Sequence, residues 1–154
     1  MRLILIFAVF MSCVLYAEQN DFAQPITIKS VTQFVDGLND VAVYKENVVI
    51  TQGSLKITAD EVRIDASAGD GNEVFIAKGT PASFEQRSQD GSLVKASGNE
   101  IRYTRKDKKI NLSGSAQLAQ DSSTVSGENI IFDMLNEQLI ASGTDGDSGR
   151  VQAV

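Results

Sequence analysis

Residues 46–62 read ENVVITQGSLKITADEV, and this stretch decides the fold. Apolar and polar residues alternate along it on both sides of Gly53 and Ser54. Short alternating runs continue beyond Pro25, separated by Gly, Asn, Asp and Ser and with little helical periodicity. This pattern is typical of many short antiparallel strands. The sequence therefore predicts an all-β protein, and a length of 154 residues favours a single domain.

The quoted stretch belongs to a unit that recurs along the chain. The aligned segments are NVVITQ, PASFEQ and SAQLAQ, then ITADEVRID, KASGNEIRY and TVSGENIIFD, then EVFIAKG, KKINLSG and EQLIASG. The repeat length is roughly thirty residues, with differences taken up in loops. A partial first copy begins at Ile26. One such unit cannot bury its apolar face alone, so we expect successive units to stack as two facing sheets.

The apolar residues of the aligned strands share one face, which we expect to line the space between the sheets. Phe84, Tyr103 and Phe132 are bulky inward residues, whereas Ala77 and Ala116 are small ones. A tight core and a slot for a guest molecule can both show this mixture. Periodicity alone therefore leaves open whether the interior is filled or hollow.

Four segments together resemble one known family. They are QPITIKS, ENVVITQGSLKITADEV, GTPASFEQ and GSAQLAQDSSTVSGENIIF, beginning at residues 24, 46, 79 and 114. Their combination, including the pattern VxxTQGxxxxxADxV, is fairly specific, and no single piece would suffice. Over nearly all of its length beyond residue 23, the chain resembles the LptA family of periplasmic lipopolysaccharide-transport proteins, in the OstA-like superfamily. One departure is Glu46, because the family pattern has glycine before Asn47.

The resemblance implies a twisted, OstA-like β-jellyroll of about sixteen antiparallel strands, with repeated strand units and an open V-shaped slot. In the family this slot holds the acyl chains of lipopolysaccharide (its lipid A part), and the protein bridges the inner and outer membranes. The resemblance also implies an LptC-like inner-membrane protein at the N-terminal edge, near residues 26–30. It implies an LptD-like outer-membrane protein at the C-terminal edge, near residues 138–142, and head-to-tail self-association through these unpaired edges.

We expect the inward apolar side chains of these strands to contact lipid. The resemblance places Ile26 and Ile28 on the strand that lines the family's slot, and makes Phe84 and Tyr103 inward aromatic residues. The complete set of expected lipid-binding residues is Ile26, Ile28, Tyr44, Ile50, Ile57, Val62, Ile64, Phe75, Phe84, Ile101, Tyr103, Leu112, Leu118 and Phe132. The alternative for each of them is plain core packing.

The N-terminus indicates export. Arg2 precedes an apolar run over residues 3–14, which is too short to span a bilayer comfortably, and Ala17 is a plausible cleavage position. We therefore expect a cleaved signal peptide (residues 1–17), an OstA-like β-jellyroll domain (residues 18–144) and a flexible polar tail (residues 145–154), in a periplasmic protein. The alternative is a retained anchor, as in an LptC-like membrane component.

Composition argues against catalysis and against nucleic-acid binding. The chain has no histidine, which excludes Ser-His-Asp triads and the common zinc sites. Its single cysteine, Cys13, lies in the predicted signal peptide. Its net charge of −6 is scattered, whereas nucleic-acid binding needs a clustered basic face. We therefore expect no catalytic residue, metal or cofactor, and a β-repeat scaffold with a solid core and no lipid is the remaining alternative.

Overall fold

The computed structural model describes residues 20–144, 146 and 149–154, so the predicted signal peptide lies outside the described residues. A short 3₁₀ helix (Asp21–Ala23) precedes ten strands. The strands are β1 (Thr27–Lys29), β2 (Thr32–Asp36), β3 (Val41–Gln52), β4 (Leu55–Asp65), β5 (Val74–Arg87), β6 (Leu93–Thr104), β7 (Lys109–Gln120), β8 (Ser123–Asp133), β9 (Gln138–Ser142) and β10 (Gln152–Ala153). This confirms the prediction of an all-β fold. None of the described helical segments is long and apolar enough to cross a membrane.

The strands form one open sheet in which neighbours in sequence are mostly neighbours in space. The order is β1-β3-β4-β5-β6-β7-β8-β10, while β2 and β9 pair with the remaining lengths of β3 and β8. Every pairing is antiparallel. Among the described strands, β1 and β2 pair only with β3, and β9 and β10 pair only with β8. The two segments predicted as edges, near residues 26–30 and 138–142, therefore lie at the edges of the sheet.

The six long strands, β3 to β8, are each interrupted by a shift in pairing register. In β3 the shift falls at Glu46 and Asn47, whose φ angles of 67° and 49° lie in the left-handed region. In β7 it falls at Gly114 and Ser115, with φ angles of 76° and 51°. Bulges of this kind bend a strand. Glu46, where the family pattern has glycine, thus occupies a conformation that favours glycine.

The bends divide the sheet into two half-sheets. Half-sheet A contains β2, β9 and residues 41–45, 61–65, 74–78, 100–104, 109–113 and 129–133. Half-sheet B contains β1, β10 and residues 48–52, 55–59, 82–87, 93–98, 116–120 and 123–127. Each of the six long strands contributes one segment to each half-sheet, and each of the four short strands contributes one segment. The ten continuous strands therefore correspond to the roughly sixteen strands that the resemblance implies. The counts differ because a bulge bends a strand without ending it.

The C-terminal residues join the sheet. Gln152 and Ala153 form β10 against β8. Thr124 and Val154 exchange backbone hydrogen bonds, both with N···O distances of 2.9 Å. These paired residues lie within the segment predicted as a flexible tail (residues 145–154), and the flexibility of that segment stays a prediction. The sequence did not indicate β10 because two residues are too few to show an alternating pattern.

Candidate functional site

Inward side chains of neighbouring strands stand opposite one another and form continuous rows across each half-sheet. One row of half-sheet A contains Tyr44, Val62, Ala77, Ile101, Leu112, Ile130 and Ala141. The other contains Ile64, Phe75, Tyr103, Ile110, Phe132 and Leu139. A row of half-sheet B contains Ile28, Ile50, Ile57, Phe84, Ala96, Leu118 and Val125. The shared face predicted from the repeats is thus confirmed by the pairing register.

The structure brings all of the predicted lipid-binding residues to this interior. Ile26, Ile28, Tyr44 and Ile64 are partly buried and pack against the core cluster. The others are buried members of that cluster, at most 5% exposed: Ile50, Ile57, Val62, Phe75, Phe84, Ile101, Tyr103, Leu112, Leu118 and Phe132. Their contact with lipid stays a prediction.

These side chains fill the interior. Val62 and Ile101 in half-sheet A and Phe84 in half-sheet B have 0% exposure. One face of a single sheet would leave such side chains open to water, so the inward rows of the two half-sheets cover each other. The sheet is open at its edges, as predicted, while the space between its halves is packed. An acyl chain can therefore enter only if the half-sheets separate or their side chains rearrange.

Further residues that are absent from the predicted set are equally interior, among them Val48, Leu55, Val94, Ile110 and Ile130. Leu55 precedes Ile57 by two positions on β4, and Ile110 precedes Leu112 by two on β7. Residues two apart in a strand face the same side. Strict alternation along each strand is therefore the signal that identifies them.

Residues 20–24, which we call the strap, are fixed to the turn between β3 and β4. Asp21 Oδ1 accepts a hydrogen bond from the Ser54 backbone N–H at 2.8 Å, and Asp21 Oδ2 accepts one from the Ser54 hydroxyl. Gln86 Nε2 also donates to Asp21 Oδ2, at 3.1 Å. Gly53 lies against Asp21 so closely that a Cβ at this position would overlap it. The strap is thus held at the end of half-sheet B opposite the bends.

The strap contacts both half-sheets. Gln52, only 1% exposed, donates from Nε2 to the carbonyl oxygens of Phe22 (3.2 Å) and Gln24 (3.1 Å). The Phe22 ring packs against the core, and Lys108 Nζ in the β6–β7 turn lies 5.1 Å from its centroid. The strap therefore spans the rims of the two half-sheets, meaning the turns opposite the bends. We call the gap between these rims the mouth of the interior.

A buried tyrosine and an ion pair lie at the rim of half-sheet A. Arg105 Nη1 donates to both carboxylate oxygens of Glu73, at 3.0 and 3.1 Å. The Tyr103 ring stacks on Phe75 with a centroid separation of 5.6 Å. Burial raises the pKa of Tyr103 to about 12, while Arg105 acts to lower this pKa and Glu73 to raise it. Burial also acts to raise the pKa of Glu73, but hydrogen bonds from the backbone and from Arg105 outweigh it, so that pKa lies below its ordinary value.

Apolar side chains are exposed at both edges of the sheet. Phe34 and Val35 on β2 are 64% and 60% exposed, and Ile140 on β9 is 67% exposed. Each of these strands pairs on one side only among the described strands. An edge with free N–H and C=O groups is a template for the addition of another strand.

A cleft of about 650 Å³ lies outside the apolar interior, beside β7, β8 and the C-terminal residues. Its lining includes Gln117, Ser126, Glu128 and Arg150. These polar side chains do not suit an acyl chain, so the interior rows remain the candidate site.

Comparison with known proteins adds to this geometry. The family described as "LptA/(LptD N-terminal domain) LPS transport protein" matches residues 27–138. The lipopolysaccharide export system protein LptA of Haemophilus influenzae is 35% identical over 130 residues, which cover 83% of this chain and 76% of that protein. The lipopolysaccharide export system protein LptH of Pseudomonas aeruginosa is 33% identical over 128 residues, which cover 82% of this chain and 73% of that protein.

A solved structure agrees with these sequence comparisons. The crystal structure of LptH from Pseudomonas aeruginosa, the LptA homologous periplasmic component of a lipopolysaccharide transport device, matches with a TM-score of 0.79 and 31% sequence identity. The match covers 87% of this chain and 96% of that one. Sequence, strand topology and inward apolar rows lead to the same conclusion: the chain belongs to the LptA family of lipopolysaccharide-transport proteins.

Proposed function

We propose that this protein binds lipopolysaccharide in the periplasm and passes it from the inner to the outer membrane. The observation that carries the proposal is the set of continuous apolar rows inside a sheet whose edges remain open. Its relatives in Haemophilus influenzae and Pseudomonas aeruginosa are named lipopolysaccharide export system proteins. The acyl chains would lie between the half-sheets against the predicted lipid-binding residues. The phosphate-bearing headgroup would stay in water.

The energetics fit a passive carrier. Moving an acyl chain from water into an apolar interior is favourable by ~0.8 kcal/mol per CH₂, and a bilayer offers the chain nearly the same gain. In this protein the chains would also replace contacts that the inward side chains already make with each other. The interior thus shields lipid in transit without extracting it from a membrane. The free energy for directional transfer must come from another component.

The edges supply the proposed partner contacts. An LptC-like inner-membrane protein would add to the N-terminal edge at β1 and β2, and an LptD-like outer-membrane protein to the C-terminal edge at β9 and β10. Further copies of this chain would join head to tail between them. The exposed apolar side chains at both edges support this arrangement, because they would be covered when another strand is added. Cleavage after Ala17 would release the protein into the periplasm.

The alternative from the sequence is a structural β-repeat scaffold that holds no lipid. Mass spectrometry of the protein purified without detergent from a lipopolysaccharide-producing bacterium separates the two. We expect lipopolysaccharide to co-purify with the protein. We also expect the mass of the polypeptide to be that of a chain beginning at Glu18. A protein that purifies empty, and stays empty after incubation with lipopolysaccharide, would identify a scaffold. A mass that retains residues 1–17 would instead indicate the membrane-anchored, LptC-like alternative.

A further inference from the structure

The Tyr103 hydroxyl is a buried polar group that has no hydrogen-bond partner among the described residues. Its side chain is only 2% exposed and belongs to the apolar core cluster. Buried polar groups are nearly always hydrogen-bonded, because leaving one unpaired destabilises the folded state. The presence of this hydroxyl therefore needs a reason other than the stability of the fold.

Packing of the fold does not require the hydroxyl. Tyr103 stands between Phe75 and Ile110 in its row, and both neighbours are apolar. Phe132 lies further along the same row, at the corresponding position of the next repeat, and is 5% exposed. A phenylalanine ring therefore fits this kind of position without a hydroxyl group.

The hydroxyl lies where the apolar interior meets the mouth. Tyr103 is the last residue but one of β6, and the turn that follows carries Arg105 and Lys108 on the rim. Two positions back along β6, Ile101 is 0% exposed, and its neighbours in the row, Ala77 and Leu112, are apolar. An acyl chain in the interior, with its headgroup in water, would place the group that links them at this boundary.

We propose that the Tyr103 hydroxyl donates a hydrogen bond to the carbonyl oxygen of the ester or amide group that joins an acyl chain to its headgroup. The inference rests on the proposed function. It adds that the hydroxyl selects which apolar molecules bind in the interior. An acyl ester or amide would satisfy the buried hydroxyl, whereas a plain hydrocarbon would leave it unpaired. Tyr103 is thus a specificity-determining residue at the mouth.

The protonation state suits a donor. Because burial raises the pKa of Tyr103 to about 12, the phenol keeps its proton throughout the physiological range. The two neighbouring charged groups bind each other, since the Arg105 guanidinium donates two hydrogen bonds to the Glu73 carboxylate. The phenol hydrogen therefore remains for a guest.

The test compares two guests on two proteins. Methyl dodecanoate carries an ester carbonyl and n-dodecane carries none, and each displaces a fluorescent apolar dye from the wild-type protein or from Tyr103→Phe. We expect the substitution to weaken binding of the ester roughly five- to tenfold, the effect of one lost hydrogen bond, and to leave dodecane binding within about twofold. We also expect the melting temperature of the empty variant to be equal or higher, because the unpaired hydroxyl is removed.

Phe132→Leu is the matched control, because it removes ring contacts from the same row without touching a hydroxyl. It should weaken both guests by similar factors. Infrared spectroscopy of methyl dodecanoate labelled with ¹³C at the carbonyl gives an independent readout. The carbonyl band of the bound ester should lie at lower frequency in the wild-type protein than in Tyr103→Phe, since a hydrogen bond weakens the C=O bond.

The outcomes separate this inference from the proposed function. The inference is wrong if both guests bind and Tyr103→Phe weakens the binding of both by the same factor. It is also wrong if the carbonyl band of the bound ester has the same frequency in Tyr103→Phe as in the wild-type protein. Either result would show that the hydroxyl does not select the guest. If the empty variant melts at a lower temperature with unchanged ester binding, the hydroxyl serves folding instead. If neither guest binds the wild-type protein, the proposed function itself fails and the inference fails with it.

Discussion

Glu46 shows how a single backbone conformation shapes this molecule. Its φ angle of 67° belongs to the left-handed region, which costs an L-amino acid about 1–2 kcal/mol. The conformation persists because the bulge that it forms bends β3 and so lets the two half-sheets face each other. Glycine adopts this conformation without steric cost, although it loses more chain entropy on folding.

Replacing Glu46 with glycine should therefore stabilise the protein by about 0.5–1 kcal/mol, the steric relief minus the entropy cost. Urea unfolding followed by circular dichroism measures the change. Lys56→Gly is the control, because Lys56 is an exposed residue of β4 with no positive φ angle. This variant should have a free energy of unfolding about 0.5–1 kcal/mol lower than that of the wild-type protein. A loss of stability in Glu46→Gly would show that its side chain, rather than its backbone, matters.

At the scale of residues, the sequence predicts well which side chains point inward. It predicts poorly which backbone conformation a residue adopts. Ile50, Ile57 and Phe84 are interior because alternation decides which face of a strand a residue occupies. The positive φ angles of Glu46 and Ser115 carry no such signal, since neither residue type favours that conformation. The bends were therefore implied only by the resemblance to a family.

At the scale of elements, the strap joins parts of the chain that are far apart in sequence. Asp21 bonds to Ser54, 33 residues away, and to Gln86, 65 residues away. Neither the 3₁₀ helix nor Asp21 has a local pattern that indicates these contacts. The sequence therefore does not predict the strap, whereas it predicts the repeated strands, whose signal is local and periodic.

Asp21→Ala should release the strap from the rim of half-sheet B. The variant leaves the Ser54 N–H and Gln86 without their acceptor, at a cost of about 1–3 kcal/mol. Hydrogen exchange should accelerate at the Ser54 amide and around residue 22, ahead of the core strands. Asn20→Ala is the control, since the Asn20 side chain bonds, among the described residues, only to the Phe22 N–H, and this variant should leave Ser54 protected. Unchanged exchange in Asp21→Ala would mean that the strap is held by other contacts.

The β9 edge is the element that we expect to recruit the next copy. Ile140→Pro removes a backbone N–H and distorts the strand, so light scattering should report a loss of concentration-dependent association. Ile140→Thr keeps a strand-favouring residue and reduces only the apolar contact, so it should weaken association less. Equal monomer–oligomer distributions for Ile140→Pro and the wild-type protein would refute assembly through this edge.

At the scale of the whole molecule, several carboxylates have a pKa below the ordinary value. Hydrogen bonds from Asn39 lower the pKa of Asp36, and hydrogen bonds from Asn136 lower that of Asp133, in turns of the same D-x-L-N pattern. Glu73 joins them through the backbone and Arg105, against the opposing effect of burial. A group whose pKa is lower in the folded state stabilises the protein above its unfolded pKa, and this stability is lost as pH falls through the folded pKa.

The melting temperature should therefore be nearly constant above about pH 5 and fall progressively below it, because the ordinary values are 3.8 for aspartate and 4.5 for glutamate. Glu73→Gln should lower the melting temperature at neutral pH and make the acid-side decline shallower, since one of the titrating groups is gone. Calorimetry between about pH 7 and about pH 2 measures both. A melting temperature that rises on acidification would contradict the assigned directions.

The packed interior connects the fold to its function. Apolar rows from both half-sheets bury each other, and in the proposed function the same rows receive acyl chains once the halves separate. The family resemblance implied the fold and the lipid, and alternation implied the rows. Neither the resemblance nor the alternation predicts whether the rows contact each other, because that depends on how sharply the bulges bend each long strand.

Site-specific photocrosslinking tests the central claim most directly. A photoreactive residue at Phe84, which is 0% exposed, is compared with one at Arg63, which lies on the outer face of β4. After incubation with lipopolysaccharide, we expect the Phe84 position to become covalently linked to lipid and the Arg63 position to remain unlabelled. Equal labelling at the two positions, or labelling at Arg63 alone, would contradict an interior that opens to hold acyl chains.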